Sequence, residues 1–182
     1  MTFRILPLLF FVSLGWMACG GGGTGTENAT DTGMTQGGEQ PVETVVPRAD
    51  AEFEDPLVDK VFQNYLNLRS ALVNSDAGEA ATAAGNMAET FADARPQLRD
   101  LAQAIADTDD LAVQRQHFSE LTAGMGDVLE EEISGGTIYR MHCPMAFDGA
   151  GADWYSEVDE VRNPYFGDKM LTCGSVTAEI GG

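Results

Sequence analysis

Between Asp55-Pro56 and Gly135-Gly136, apolar residues recur every three or four positions through four successive stretches, with breaks of only a few residues between them. That spacing lays down amphipathic helices, and such short breaks make each helix pack antiparallel to its predecessor. The first stretch opens on Asp55, an N-cap residue ahead of a first-turn Pro56, and carries Val58, Val61, Phe62, Tyr65, Leu68 and Leu72 to about Asn74. Ser75-Asp76 caps the second, with Glu79 three residues after Asp76; its stripe is Ala77, Ala80, Ala81, Ala84, Met87, Ala88 and Phe91. After a break at Pro96, Leu98, Leu101, Ala102 and Ile105 define a third, ending near Asp107-Thr108. Thr108 or Asp109 then caps a fourth with Leu111, Phe118, Leu121, Met125, Val128 and Leu129. The expected fold class is all-α: residues 54–182 form an up-and-down four-helix bundle with an irregular C-terminal segment, tied by a metal or a disulfide.

Past Ser134-Gly135-Gly136 the composition changes. Thr137 to His142 and Met170 to Ile180 contain β-branched and aromatic residues suited to two short strands. Gly149, Gly151, Asn163-Pro164 and Gly167 punctuate the segment between them, which holds Phe147, Trp154, Tyr155, Tyr165 and Phe166. A loop this long in a compact domain implies a function, a crosslink or metal, or packing by its own aromatics.

Residues 1–18 read as an export signal: Arg4 supplies a basic start, and the apolar run Ile5 to Leu14 is too short to span a bilayer. The run ends at Trp16-Met17-Ala18-Cys19, followed by Gly20 to Gly23. This resembles a bacterial lipobox, in which cleavage precedes the cysteine and Cys19 becomes the lipid anchor. An ordinary secretory signal and an uncleaved anchor are the other options; the Gly-rich tether behind Cys19 favours lipidation. Residues 19–53, rich in Gly, Thr, Glu and Gln, are expected to be a flexible tether. The expected location is the cell envelope, facing the periplasm, on the inner or the outer membrane. With 10 basic and 29 acidic residues, a net charge of −19, the chain is no partner for nucleic acid. The scattered carboxylates themselves read as a solvated face.

With Cys19 committed to lipid, Cys143 and Cys173 form a pair, in a compartment where disulfides persist. Each lies beside a methionine, in His142-Cys143-Pro144-Met145 and in Lys169-Met170-Leu171-Thr172-Cys173-Gly174. Thiolate and thioether ligands select Cu(I) over harder divalent ions. If the chain folds back on itself, Cys143, Met145, Met170 and Cys173 converge on one ion, with His142 as a nitrogen donor. The alternative is a Cys143–Cys173 disulfide, which closes a loop of about thirty residues and contributes roughly 3–4 kcal/mol on the chain-entropy model. The methionines are then packing residues, in a stapled protein-interaction module with no metal role. A mixed case, structural when oxidised and metal-binding when reduced, stays open. Metal binding is favoured because a disulfide leaves both methionines as coincidence. Met87 and Met125 read as core fillers and His117 as a boundary residue. No Cys-x-x-Cys, serine elbow, phosphate loop or zinc signature is present, so an enzyme is not expected.

Several motifs together resemble a known domain. They are Tyr65-Leu66-x-Leu68-x-x-Ala71-Leu72 with Asp76 opening the next helix, Cys143-Pro144-Met145-Ala146, Gly151-Ala152-x-Trp154, Asn163-Pro164-Tyr165-Phe166-Gly167, and Met170-Leu171-x-Cys173-Gly174. From about Pro56 to Val176 the chain is similar to an uncharacterised bacterial domain of extracytoplasmic lipoproteins, also appended to adaptor subunits of heavy-metal efflux pumps. The resemblance implies a metal-handling role, with Cys143, Met145, Met170 and Cys173 as the matching ligands and an efflux adaptor or other envelope protein as partner. His142 and Met141 sit beside the motif without being part of it. Trp154, Asn163, Pro164, Tyr165 and Gly167 are expected to shape the loop.

Overall fold

The computed structural model describes residues 49–182. The export signal, Cys19 and most of the tether lie outside the described residues. Four helices form at the predicted stripes. Helix α1 (Pro56–Val73) starts at Asp55, whose carboxylate accepts the Leu57 N–H at 2.8 Å. Asp76 caps α2 (Ala77–Phe91) by accepting the Glu79 N–H at 3.0 Å. Helix α3 (Pro96–Ala106) has a first-turn proline and no side-chain cap. The cap of α4 (Leu111–Glu132) is Asp110, past the expected Thr108 or Asp109; Thr108 Oγ1 accepts the Asp110 N–H instead. Each helix packs on the next in sequence, and α4 returns to α1. Tyr65, Phe62, Phe91, Ile105, Phe118 and Leu121 fill the space between them, each at most 1% exposed. Burial of such a side chain contributes about 1.5–3 kcal/mol, which is why the stripe, rather than helix propensity, decides the packing.

The all-α expectation fails outside these helices, and the fold is mixed, with two antiparallel sheets. Strand β1 (Glu52–Phe53) pairs with β2 (Ile133–Gly135), which follows α4 directly. Strands β3 (Thr137–Cys143), β4 (Ala152–Ser156) and β5 (Ser175–Gly181) form a three-stranded sheet with β3 in the centre. Two of its strands stand where the β-branched runs predicted them. Strand β4 lies in the segment read as irregular, and its burial explains why: Trp154, Tyr155 and Ser156 are all buried, which erases the in–out alternation that marks a strand. Trp154 meets the Tyr165 ring edge-on at 6.1 Å on one side, while the Tyr155 hydroxyl donates to Glu130 of α4 at 2.8 Å on the other. Residues 49–53, read as the end of the tether, are packed as well. Ala51 and Phe53 are buried, and Phe53 lies edge-on to Phe62 at 5.3 Å.

The larger sheet is joined to the helices by polar contacts within the core. The Tyr65 hydroxyl accepts the Tyr155 N–H at 3.1 Å, on the β4 edge away from β3, and lies 2.9 Å from Thr122 Oγ1. Arg69 of α1 pairs with Glu157, just past β4, at 3.0 Å with both side chains largely covered. No helix among the described residues is long and apolar enough to cross a membrane.

Candidate functional site

Cys143 is the last residue of β3, opposite Ala152 of β4, and is fully buried. Cys173 lies half-exposed at the end of a turn closed by its own N–H donating to Met170 O at 3.0 Å, just before β5. Both are free thiols, and their sulfurs are 3.0 Å apart. The structure therefore joins the two cysteine arms. Met145 and Met170 stand on the surface, 54% and 37% exposed.

His142 does not join them. Successive strand residues point to opposite faces, so His142 is directed away from the side that carries Met141 and Cys143. Its Nδ1 lies 2.6 Å from Asp153 Oδ1. Sequence proximity placed it in the expected ligand set, and the pleat of β3 turns it to the face opposite Cys143. Among the described residues no cluster of three or more His, Cys, Asp or Glu side chains is arranged to hold a metal.

The Asn163-to-Gly167 motif holds Cys173 in place. Asn163 is fully buried; its Nδ2 donates to Cys173 O at 2.7 Å, and its Oδ1 accepts the Tyr165 N–H at 2.8 Å. On the other side of Cys173, Gly174 has φ +138°, and a side chain there would come within 2.7 Å of the Trp154 ring and 2.8 Å of His142 O. Tyr165 extends the clamp by donating its hydroxyl to Asp153 O. Arg115 of α4 ties the motif to the helices: Nε donates to Pro164 O at 2.8 Å, and Nη2 to Leu72 O and Ser75 Oγ, both at 3.0 Å. Gly167 sits against that same turn at φ +56°, where a Cβ would lie 3.0 Å from Val73 O. Arg115 is not among the residues expected from the sequence, although it is the one arginine or lysine in α4.

Local electrostatics follow from these contacts. The hydrogen bond with Cys143 raises the Cys173 thiol above the ordinary cysteine value; partial burial adds to this, and the Met145 backbone amide opposes it. Burial raises Tyr65 to about 12 and Tyr165 well above the usual tyrosine range. Tyr155 is raised by burial and then by its hydrogen bond to the Glu130 carboxylate. Phe147 and Asp148, in the one-turn α5 (Ala146–Gly149), both have left-handed backbone angles, with φ of 51° and 57°. Such non-glycine conformations cost about 1–2 kcal/mol each and here fall directly after the Cys143-Pro144-Met145 step.

Comparison with known proteins reaches the helical part of the chain alone. No curated protein and no solved structure matches. Residues 61–134 match the model of a family described as a protein of unknown function (DUF3347). The match runs from within α1 into β2 and stops short of both thiols and both exposed methionines. Over residues 61–134, then, the chain carries a DUF3347 domain, a domain of unknown function.

Proposed function

We propose that the protein is a lipid-anchored, extracytoplasmic protein that binds a soft heavy-metal ion as cargo, Cu(I) foremost, in a metal-handling or efflux-accessory role. The observation that carries this is the meeting of two free thiols from sites 30 residues apart, each on an arm whose methionine is left on the surface. Methionines kept for packing would be covered; Met145 is 54% exposed and Met170 37%. Cys143 and Cys173 supply the thiolates, and Met145 and Met170 supply thioethers from the solvent side. At metal–sulfur bonds of about 2.3 Å, two sulfurs sharing one ion stand roughly 3.7–4.6 Å apart, from tetrahedral to linear geometry. The half-exposed Cys173 side chain is the one free to open that gap. His142 is not in this ligand set.

The test is an anaerobic Cu(I) titration of the reduced protein in competition with a Cu(I) chelator. Stoichiometric binding abolished by Cys143→Ser and weakened at least tenfold by Met145→Leu with Met170→Leu is the expected result; such a factor corresponds to about 1.4 kcal/mol. Binding no better than background sinks the proposal. The thiol contact itself favours a second reading, since 3.0 Å is closer than two sulfurs sharing an ion. In it the pair is a disulfide staple in an envelope interaction module. That protein carries no free thiols as isolated, and the double Met→Leu variant leaves its partner binding unchanged.

A further inference from the structure

The two sulfurs differ in access. Cys143 is fully buried and held in register by β4, whereas Cys173 is half-exposed on a turn. Their 3.0 Å separation lies about 1 Å outside a disulfide bond and somewhat less than 1 Å inside the tetrahedral spacing of two sulfurs on one ion. The backbone around Cys173 is pinned by Asn163 on its carbonyl and by Gly174 against Trp154, which leaves χ1 rotation of Cys173 as the low-cost motion.

We infer that Cys143 and Cys173 form an exchangeable dithiol in which Cys173 reacts with an incoming organic disulfide, Cys143 resolves the adduct, and oxidation closes the soft-metal site. The last element rests on the function proposed above; the exchange itself does not. In the first step the Cys173 thiolate attacks one sulfur of the disulfide RSSR, its S–S bond breaks, and RS⁻ leaves and takes up a proton. In the second, the Cys143 thiolate attacks the Cys173 sulfur and expels the other RS⁻. The protein loses two protons and two electrons and gains one S–S bond, and RSSR is reduced to two RSH. Because the resolving sulfur is already in contact, the mixed disulfide does not accumulate.

The experiment equilibrates the full chain, with Cys19→Ser throughout so that two thiols are counted, against a graded series of reduced and oxidised glutathione. Samples are quenched by alkylation and weighed by mass spectrometry. Both thiols are expected to disappear together in one reversible transition without a lasting glutathione adduct. The Cys143→Ser variant is expected to accumulate that adduct on Cys173, and Cys173→Ser to take up at least tenfold less on the buried Cys143. In the Cu(I) arm, binding is lost on oxidation and recovered on reduction. A pair that stays fully reduced or fully oxidised across the series overturns the inference, as does equal labelling of the two single variants. The wild-type series decides even where Cys143→Ser loosens the fold, and Cys143→Ala repeats the labelling without a buried hydroxyl. Reversible exchange with no Cu(I) binding in either state overturns the metal function and leaves the exchange standing. Equal Cu(I) binding in both states overturns the closing of the site.

Discussion

The helices α1 to α4 and the sheet with its loop are held by different kinds of information. In the helices, each start has a cap or a proline within the first turn, each buried face has its own stripe, and the strongest side-chain caps span two or three residues. In the C-terminal part the decisive bonds come from far away in sequence: Tyr155 N–H on Tyr65, Arg115 on Pro164, and Cys143 against Cys173. The family match follows the same line, covering residues 61–134 and leaving the thiol arms outside. A locally specified scaffold thus carries a thiol pair assembled by long-range contacts, and damage to the two parts should look different.

The largest effect should come from Trp154→Ala. Removing a fully buried indole that packs on Tyr165 costs about 3–5 kcal/mol. The near-ultraviolet dichroism should be lost at a lower temperature than the helical signal at 222 nm. A single coincident transition would mean that the two parts melt as one, against the comparison drawn here. Alkaline titration probes the joint between them. Tyr65 is neutral in the fold and raised to about 12, against roughly 10 when unfolded, so its contribution is complete below pH 10 and is lost as pH rises from 10 through 12. Urea unfolding at pH 8 and pH 11.5 should differ by about 2 kcal/mol from Tyr65, with Tyr155 and Tyr165 acting in the same direction. The Tyr65→Phe variant should show a smaller difference.

Asn163→Ala leaves the Cys173 carbonyl and the Tyr165 N–H without their partner and should cost about 1–3 kcal/mol. It should also speed alkylation of Cys173 while helix content stays constant; unchanged alkylation would mean that Asn163 does not hold the thiol turn. Asp55→Ala removes a cap on the opposite part of the molecule and should cost about 1 kcal/mol in thermal melts, with no effect on the thiols. His142→Ala sets the smallest expectation, within about 0.5 kcal/mol, because the side chain is exposed and its partner Asp153 is also at the surface. Cu(I) affinity should not move with it. A loss there would return His142 to the ligand set, against its direction in β3.

How much was legible beforehand follows the same division. The starts of α1 and α2 were readable from Asp55-Pro56 and Asp76, because a cap acts on N–H groups two or three residues away. The true cap of α4 was not, since Thr108, Asp109 and Asp110 are all competent cap residues in a row. Strands β3 and β5 were visible in their β-branched residues, but β4 was hidden because neighbours cover it from both sides. Pairing Cys143 with Cys173 needed only cysteine arithmetic. That His142 turns away and Asn163 and Arg115 hold the thiol turn depends on pleat and on contacts across 10 to 49 residues. Local periodicity, capping and residue counts determined the helices and the thiol pair. Tertiary structure alone decided how the strands pair, the burial of Trp154, Tyr155 and Ser156 in β4 and the direction of each donor, because those depend on which surfaces meet.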